Sequence, residues 1–392
     1  MAAADASTKG AGRITRAGGP GRAGRQALSD RLPHPWLFPL LVFAAAWLLI
    51  LAAWYGSDAV YGRSHPWTWH FLIKDANFYL GIAEHGYTGD PARAAFFPFF
   101  PLLIHLTSYL TGGDYPVAGL IASVACGAAS AVAVWALAAR ACDRWVADRA
   151  VMLYCAFPGA MTFGILYSEP LAVALGAAAL LALLDRRWLL AGIIGAVATA
   201  GRPTMIILVV ASGIAALQAI RDRREWRSLI APLLTPLGVL AYFGYLGHRY
   251  HNYGYWFWIE KKGWHQHIDW GLHTLRVLLW LYPREARHWL YVVLLLITFA
   301  AAAAGIAMML AARLPLPVTV FGLLTIVLAV ISSDGGTKPR LVWVAFPIFI
   351  GAAAKLPRAL YWPVLILSAV GLVFVTGVWP HHFTGAAPWP AP

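Results

Sequence analysis

Asp75 is the residue whose type and place first ask for a chemical explanation. Over residues 71–86 the apolar positions Leu72, Phe78, Tyr79, Ile82 and Ala83 recur at helical spacing, which predicts a short amphipathic helix. Lys74, Asn77, Gly81, Glu84 and His85 fall on its polar side. Asp75 stands three residues after Leu72 and four before Tyr79, on the apolar stripe, where an ionised carboxylate is partly desolvated. Desolvation raises a carboxyl pKa towards that of a useful general base. Two readings stay open: a base, or a helix-surface carboxylate in an ordinary ion pair with Lys74 or Arg93.

Other chemistry-bearing residues are scattered along the chain. Tyr167-Ser168-Glu169-Pro170 lies between two apolar runs, so Glu169 sits at an interface, either as a functional acid or in a helix start with Ser168 as cap and Pro170 in the first turn. Arg202, between Gly201 and Pro203, offers a guanidinium that fits a phosphate with two parallel hydrogen bonds, or that snorkels to headgroups. Lys338 and Arg340 flank Pro339 as a compact cationic pair that either binds an anionic lipid head, the phosphate of a lipid-linked donor being favoured here, or simply marks an interface. The stretch 248–287 is dense in aromatic and histidine residues, among them Trp256, Trp258, Trp264, His265, His267 and Trp270. Such rings suit sugars and bilayer interfaces alike. His265 and His267 alternate as metal ligands could, but no acid or cysteine at ligand spacing accompanies them, so no metal and no cofactor is expected. A Gly-rich phosphate loop and a dinucleotide fingerprint are both missing from the sequence, which argues against a nucleotide-sugar donor on a Rossmann-type domain.

The elements that must position these residues are membrane helices. Of 392 residues 60% are hydrophobic and 12% charged, which is far from soluble-domain composition. In such a chain a formal charge of +13 marks basic cytoplasmic loops and not nucleic-acid binding. Apolar runs predict eleven spans, at 36–56, 116–139, 150–166, 169–184, 188–200, 203–220, 228–247, 288–312, 315–332, 341–354 and 359–378. A Gly-, Ala- and Arg-rich segment, 1–35, is expected to be a disordered cytoplasmic tail, with a membrane domain over 36–378 and an outer tail over 379–392. Basic residues cluster in alternate loops, which predicts a cytoplasmic N-terminus. That places a first outer loop at 57–115, a second aromatic one at 248–287, and every unusual motif on the extracytoplasmic side. The run Phe96, Phe97, Pro98, Phe99, Phe100, Pro101 is expected to pack at the membrane interface. Cys126, Cys142 and Cys155 have no paired spacing and read as small packing residues.

Asp-Ala-Asn-Phe-Tyr-Leu-Gly-Ile-Ala-Glu-His-Gly-Tyr at 75–87, followed by Ala-Phe-Phe-Pro-Phe-Phe-Pro-Leu-Leu at 95–103, resembles the first signature of the PIG-V family. These are the mannosyltransferases that add the second mannose of GPI anchors, together with their bacterial relatives. The same family has a Tyr-Ser-Glu like that at 167–169 and an arginine like Arg202; it usually has Trp where this chain has Lys74. The resemblance implies an all-α, GT-C-type polytopic bundle with amphipathic helices in its first outer loop. It further implies a polyprenyl-phosphate sugar, mannose first, as donor, and a catalytic role for the acid of that loop, matched here by Asp75.

The reading that follows is an inverting glycosyltransferase of the cell membrane. Asp75 takes the proton of an acceptor hydroxyl on a glycolipid or other extracytoplasmic acceptor while the lipid phosphate departs. Lys74, Glu84, His85, Tyr167, Glu169, Arg202, Trp264, His267, Lys338 and Arg340 are the expected substrate contacts. The alternatives are a GT-C enzyme moving another sugar, or a transporter of lipids or lipid-linked sugars. A transporter predicts internal repeats and polar groups through both membrane halves, which this sequence lacks.

Overall fold

The structure is a computed structural model and describes residues 26–279, 289–333 and 338–377. Among these the protein is all-helical, with a single antiparallel bridge between Ile268 and Ser332. In chain order the helices are α1 (Leu37–Val60), α2 (Trp67–Phe71), α3 (Ala76–His85), α4 (Phe99–Ser108), α5 (Tyr115–Ala141) and α6 (Arg144–Ala156). Then come α7 (Glu169–Leu184), α8 (Trp188–Gly201), α9 (Ile207–Arg223), α10 (Ile230–Leu234), α11 (Leu237–Tyr250) and α12 (Tyr255–Gly263). The last six are α13 (Leu272–Leu278), α14 (Trp289–Ala312), α15 (Leu316–Ile331), α16 (Lys338–Val344), α17 (Pro347–Lys355) and α18 (Arg358–Gly377).

This is a multi-pass membrane protein. Six helical stretches among the described residues are long and apolar enough to cross a bilayer, and a seventh is gained if the pair Pro158–Gly164 and Glu169–Leu184, bent by 109°, counts as one span. The expected eleven spans all fall on helical segments, but several, such as α6, α8 and α15, are short, and the run at 341–354 divides into α16 and α17. Local starts are written in the sequence. Asp114 accepts the Val117 N–H ahead of α5, and Asp143 accepts the Val146 N–H ahead of α6. Between the spans, packing relies on small side chains, because lipid gives helices no hydrophobic reason to associate. Thus α7, rich in Ala, lies between α5 and α8. At Gly127 of α5 even a methyl group would meet the Phe43 ring at 2.5 Å.

One end of the bundle carries the basic loops, tied by Arg140–Asp185, Arg144–Asp30 and Arg186–Glu225 ion pairs. Residues 26–35, expected as part of a disordered tail, instead seat on this end: Ser29–Arg31 form a 3-10 turn and the Ser29 N–H bonds Asp148 at 2.8 Å. The rest of that tail, the outer tail at 379–392 and residues 280–287 of the aromatic stretch lie outside the described residues.

The opposite end holds α2, α3 and α4, and here two sequence expectations change. The helix expected over 71–86 is broken into α2 and α3 by a turn in which Lys74 takes a left-handed backbone with φ 51°. Asp75 therefore stands at the start of α3 and not within a continuous stripe, yet it is buried as the pattern implied. The phenylalanine run, expected to pack at the membrane interface, packs within the protein: Phe96, Phe97 and Phe100 are buried against Trp264, Tyr242 and Tyr79 respectively.

Candidate active site

Four charged side chains from four distant parts of the sequence meet at this end. Asp75 comes from the turn between α2 and α3, Glu169 from the first residue of α7, Arg202 from the break after α8, and Arg340 from α16. The Arg340 Nη1 group donates to Asp75 Oδ2 at 3.0 Å, and its Nε lies 2.9 Å from Glu169 Oε1. This second contact is electrostatic and not an aligned hydrogen bond. Arg202 Nη1 lies 3.1 Å from Glu169 Oε2 and donates to Ser168 Oγ at 3.0 Å. Ser168 and the Tyr79 hydroxyl share a 2.7 Å hydrogen bond, and the Tyr167 ring faces the Arg340 guanidinium at 4.8 Å. The result is a charge-balanced chain, Asp75–Arg340–Glu169–Arg202, with Asp75, Glu169 and Arg340 buried.

Burying charges is costly unless each is paired, and here each of the three buried ones is. Three buried atoms of the cluster have no hydrogen-bond partner among the described residues: Glu169 Oε1 and Arg340 Nε, which face each other as an ion pair, and Asp75 Oδ1, which faces no cation of its own. Burial pushes the Asp75 carboxyl above the usual carboxylate range, and the adjacent Arg340 only partly offsets this. A raised carboxyl with one oxygen uncommitted can accept a proton. The Tyr79 hydroxyl is also pushed up by burial, so it stays protonated as a hydrogen-bonding group.

Local sequence explains how the parts are held. Across the break at 165–168 the chain bends by 109° between a 3-10 segment and α7, which puts Glu169 at a helix start. Ser168 occupies the cap position, but its hydroxyl bonds Tyr79 and Arg202 and not the helix N–H groups. Gly201-Arg202-Pro203 breaks the helix as expected, with Arg202 extended between α8 and a 3-10 turn. The Arg340-bearing α16 is locked by Trp343, which donates to the Tyr154 carbonyl at 2.9 Å and stacks on the Tyr154 ring at 4.6 Å. It is also seated on Gly159, where a Cβ would lie 2.4 Å from Trp343 Cβ and 2.6 Å from the Pro339 carbonyl oxygen.

The other expected contacts sort unevenly. Tyr167, Glu169, Arg202 and Arg340 join Asp75; the suggested partners Lys74 and Arg93 do not supply its ion pair. Arg93 instead donates to the carbonyls of Gly86 and Thr88. Lys74, Glu84 and His85 are exposed, with Glu84 and His85 3.8 Å apart. Trp264 is buried edge-on against Phe78 and Phe96 and so belongs to the wall behind α3. His267 is exposed, and its backbone pairs with Ser333. The backbone of Lys338 begins α16; its side chain lies outside the described residues. Tyr79 and Ser168 were not foreseen as members of the cluster. The signal for Tyr79 was its spacing, one helical turn after Asp75.

The model of the dolichyl-phosphate-mannose-protein mannosyltransferase family matches residues 92–246. No curated protein matches the chain in sequence. Among solved structures, ArnT from Cupriavidus metallidurans bound to undecaprenyl phosphate is similar at 15% identity and a TM-score of 0.50, over 90% of this chain and 66% of that one. The Archaeoglobus fulgidus oligosaccharyltransferase tethered to an acceptor peptide aligns at 12% identity and a TM-score of 0.46, over 87% of this chain and 54% of that one. The chain thus has the GT-C fold and spans a little under two thirds of the ArnT length.

Proposed function

We propose that this protein is an inverting glycosyltransferase that moves a sugar, mannose, from a polyprenyl-phosphate donor to a hydroxyl of a lipid-linked or glycolipid acceptor. The observation that carries the reading is the Asp75–Arg340–Glu169–Arg202 chain, at whose end Asp75 Oδ1 has no hydrogen-bond partner among the described residues. The likeness of the fold to ArnT, a protein seen with undecaprenyl phosphate, supports the donor class. The mannosyltransferase family model over 92–246 and the PIG-V-like signature at 75–87 and 95–101 support mannose and a bacterial relative of that family.

In this scheme Asp75 Oδ1 accepts the proton as the acceptor oxygen attacks the anomeric carbon. The bond from that carbon to the phosphate oxygen breaks, and polyprenyl phosphate leaves with the electron pair. Phosphate is a competent leaving group, so the protein need only stabilise its growing charge, a task for Arg340 and Arg202 with Lys338 nearby in the chain. The same arginines hold Asp75 and Glu169 when no phosphate competes. A donor phosphate that draws Arg340 away from Asp75 strengthens that carboxylate as a base. Basic loops at the far end of the bundle support a cytoplasmic N-terminus and, with it, a site on the extracytoplasmic face.

The test is transfer by the purified protein in nanodiscs. Radiolabelled polyprenyl-phosphate mannose with a membrane-lipid extract should yield labelled glycolipid, and a nucleotide-linked mannose should not. Label moving only from the nucleotide sugar, or from no lipid-phosphate sugar at all, would overturn the reading.

A further inference from the structure

A second convergence of polar groups lies at the C-terminal end of α1, apart from the ion cluster. Asp58 is buried in the last turn of α1. His65 Nδ1 lies 2.9 Å from its Oδ1, and His70 Nε2, from α2, lies 3.0 Å from its Oδ2. The three ligand-type atoms lie within 4.8 Å of one another. Aromatic planes fix both imidazoles: Trp69 stacks on His65 at 3.8 Å and Trp54 on His70 at 5.1 Å, each within 12° of parallel. His70 is buried, whereas His65 keeps 22% of its side chain exposed. The spacing 58, 65, 70 follows no familiar ligand pattern, and it is folding that unites the three.

We propose that Asp58, His65 and His70 bind one divalent transition-metal ion, Zn2+ fitting best. Two imidazoles and a carboxylate are a usual three-ligand zinc set, and the exposed edge of His65 gives the fourth position to water. Bonds of about 2.0–2.2 Å in a tetrahedron put ligand atoms roughly 3.3 Å apart, so around an ion the 2.9 and 3.0 Å contacts, each to a different Asp58 oxygen, open slightly and the widest pair of ligand atoms, within 4.8 Å, draws in. The negative end of the α1 dipole adds to the Asp58 charge in favouring a cation there. The ion staples α2 to α1. Because the Phe71 carbonyl of α2 accepts the Leu166 N–H at 3.1 Å, the staple reaches the segment that presents Tyr167 and Glu169. The site takes no part in the proposed sugar transfer and stands or falls independently of it.

The experiment uses the full chain in detergent, stripped with a chelator, reloaded with Zn2+ and desalted. Elemental analysis should find about one zinc per chain, and added Zn2+ should raise the melting temperature. Co2+ in the wild type should give the visible absorption of a low-symmetry site with nitrogen ligands. His65→Ala and His70→Ala should each weaken zinc binding by more than the roughly 10–100-fold that loss of an outer-shell partner causes, while His265→Ala/His267→Ala should not. His65 is partly exposed, so its variant should fold, and zinc-free melting checks that it does. Absence of stoichiometric zinc and of a Co2+ spectrum in the wild type would overturn the proposal, as would zinc binding unchanged in folded His65→Ala.

Discussion

The two ends of the bundle each bury an acid and an arginine, and they treat them differently. At the basic end both Asp148 oxygens are engaged, Oδ1 by the Trp135 indole N–H at 2.7 Å and Oδ2 by the Ser29 N–H. Arg149 there donates to the carbonyls of Ala353 and Leu356 and lies over the rings of Trp145 and Tyr361. These partners are backbone and aromatic groups that cannot exchange. At the other end the arginines are held by carboxylates, one of the contacts is poorly aligned for hydrogen bonding, and Asp75 Oδ1 has no such bond among the described residues. A fully satisfied buried charge is architecture. A buried charge with one open valence is the kind of site that a ligand completes.

The contrast can be broken by mutation, beginning with the largest expected effect on transfer. Arg340→Gln should lower transfer by about 10²–10³-fold, the scale of a lost transition-state donor, and cost roughly 3–5 kcal/mol of stability because two buried acids lose their shared cation. Parallel transfer assays and thermal melts check both. Gly159→Ala comes next: the new methyl group has no room between Trp343 and the Pro339 carbonyl, so α16 must shift. A stability loss of about 1–3 kcal/mol with a fall in turnover is expected, readable by the same pair of measurements. The pH dependence is subtler. A base works deprotonated and the Asp75 carboxyl is raised by burial, so the single-turnover rate should climb with pH through an apparent pKa above the ordinary aspartate value. A rate flat from pH 4 to 7 would contradict this. The smallest effect on transfer belongs to Asp148→Asn, which should lower the melting temperature and leave the rate per folded molecule unchanged.

Much of this site was legible in the sequence, for a physical reason. A carboxylate on an apolar stripe, an acid at an interface helix start and an arginine beside a helix-breaking proline are each costly locally, and cost is visible without coordinates. Asp75, Glu169 and Arg202 stood out in this way, and all three meet in the fold. What local pattern cannot carry is pairing across 265 residues, so Arg340 appeared as a phosphate ligand beside Lys338 and not as the partner of Asp75. The break between α2 and α3 was hidden because Lys74, a residue with no strong preference for a left-handed backbone, makes the turn. The predicted apolar runs fall on helical segments, but hydropathy passed over the short helices α2, α4, α12 and α13 and overstated how many are long enough to cross unaided, since short apolar helices look alike whether they span or stop within the bundle.

The central claim is that the open oxygen of Asp75 is kept for a proton from substrate. Its most direct test is Asp75→Asn, a change of nearly constant volume, in single-turnover transfer from bound polyprenyl-phosphate sugar alongside a donor-binding measurement. Donor affinity within a few-fold of wild type with transfer slowed by about 10²–10⁴-fold is the predicted result. Transfer at the wild-type rate by the folded variant would contradict the account.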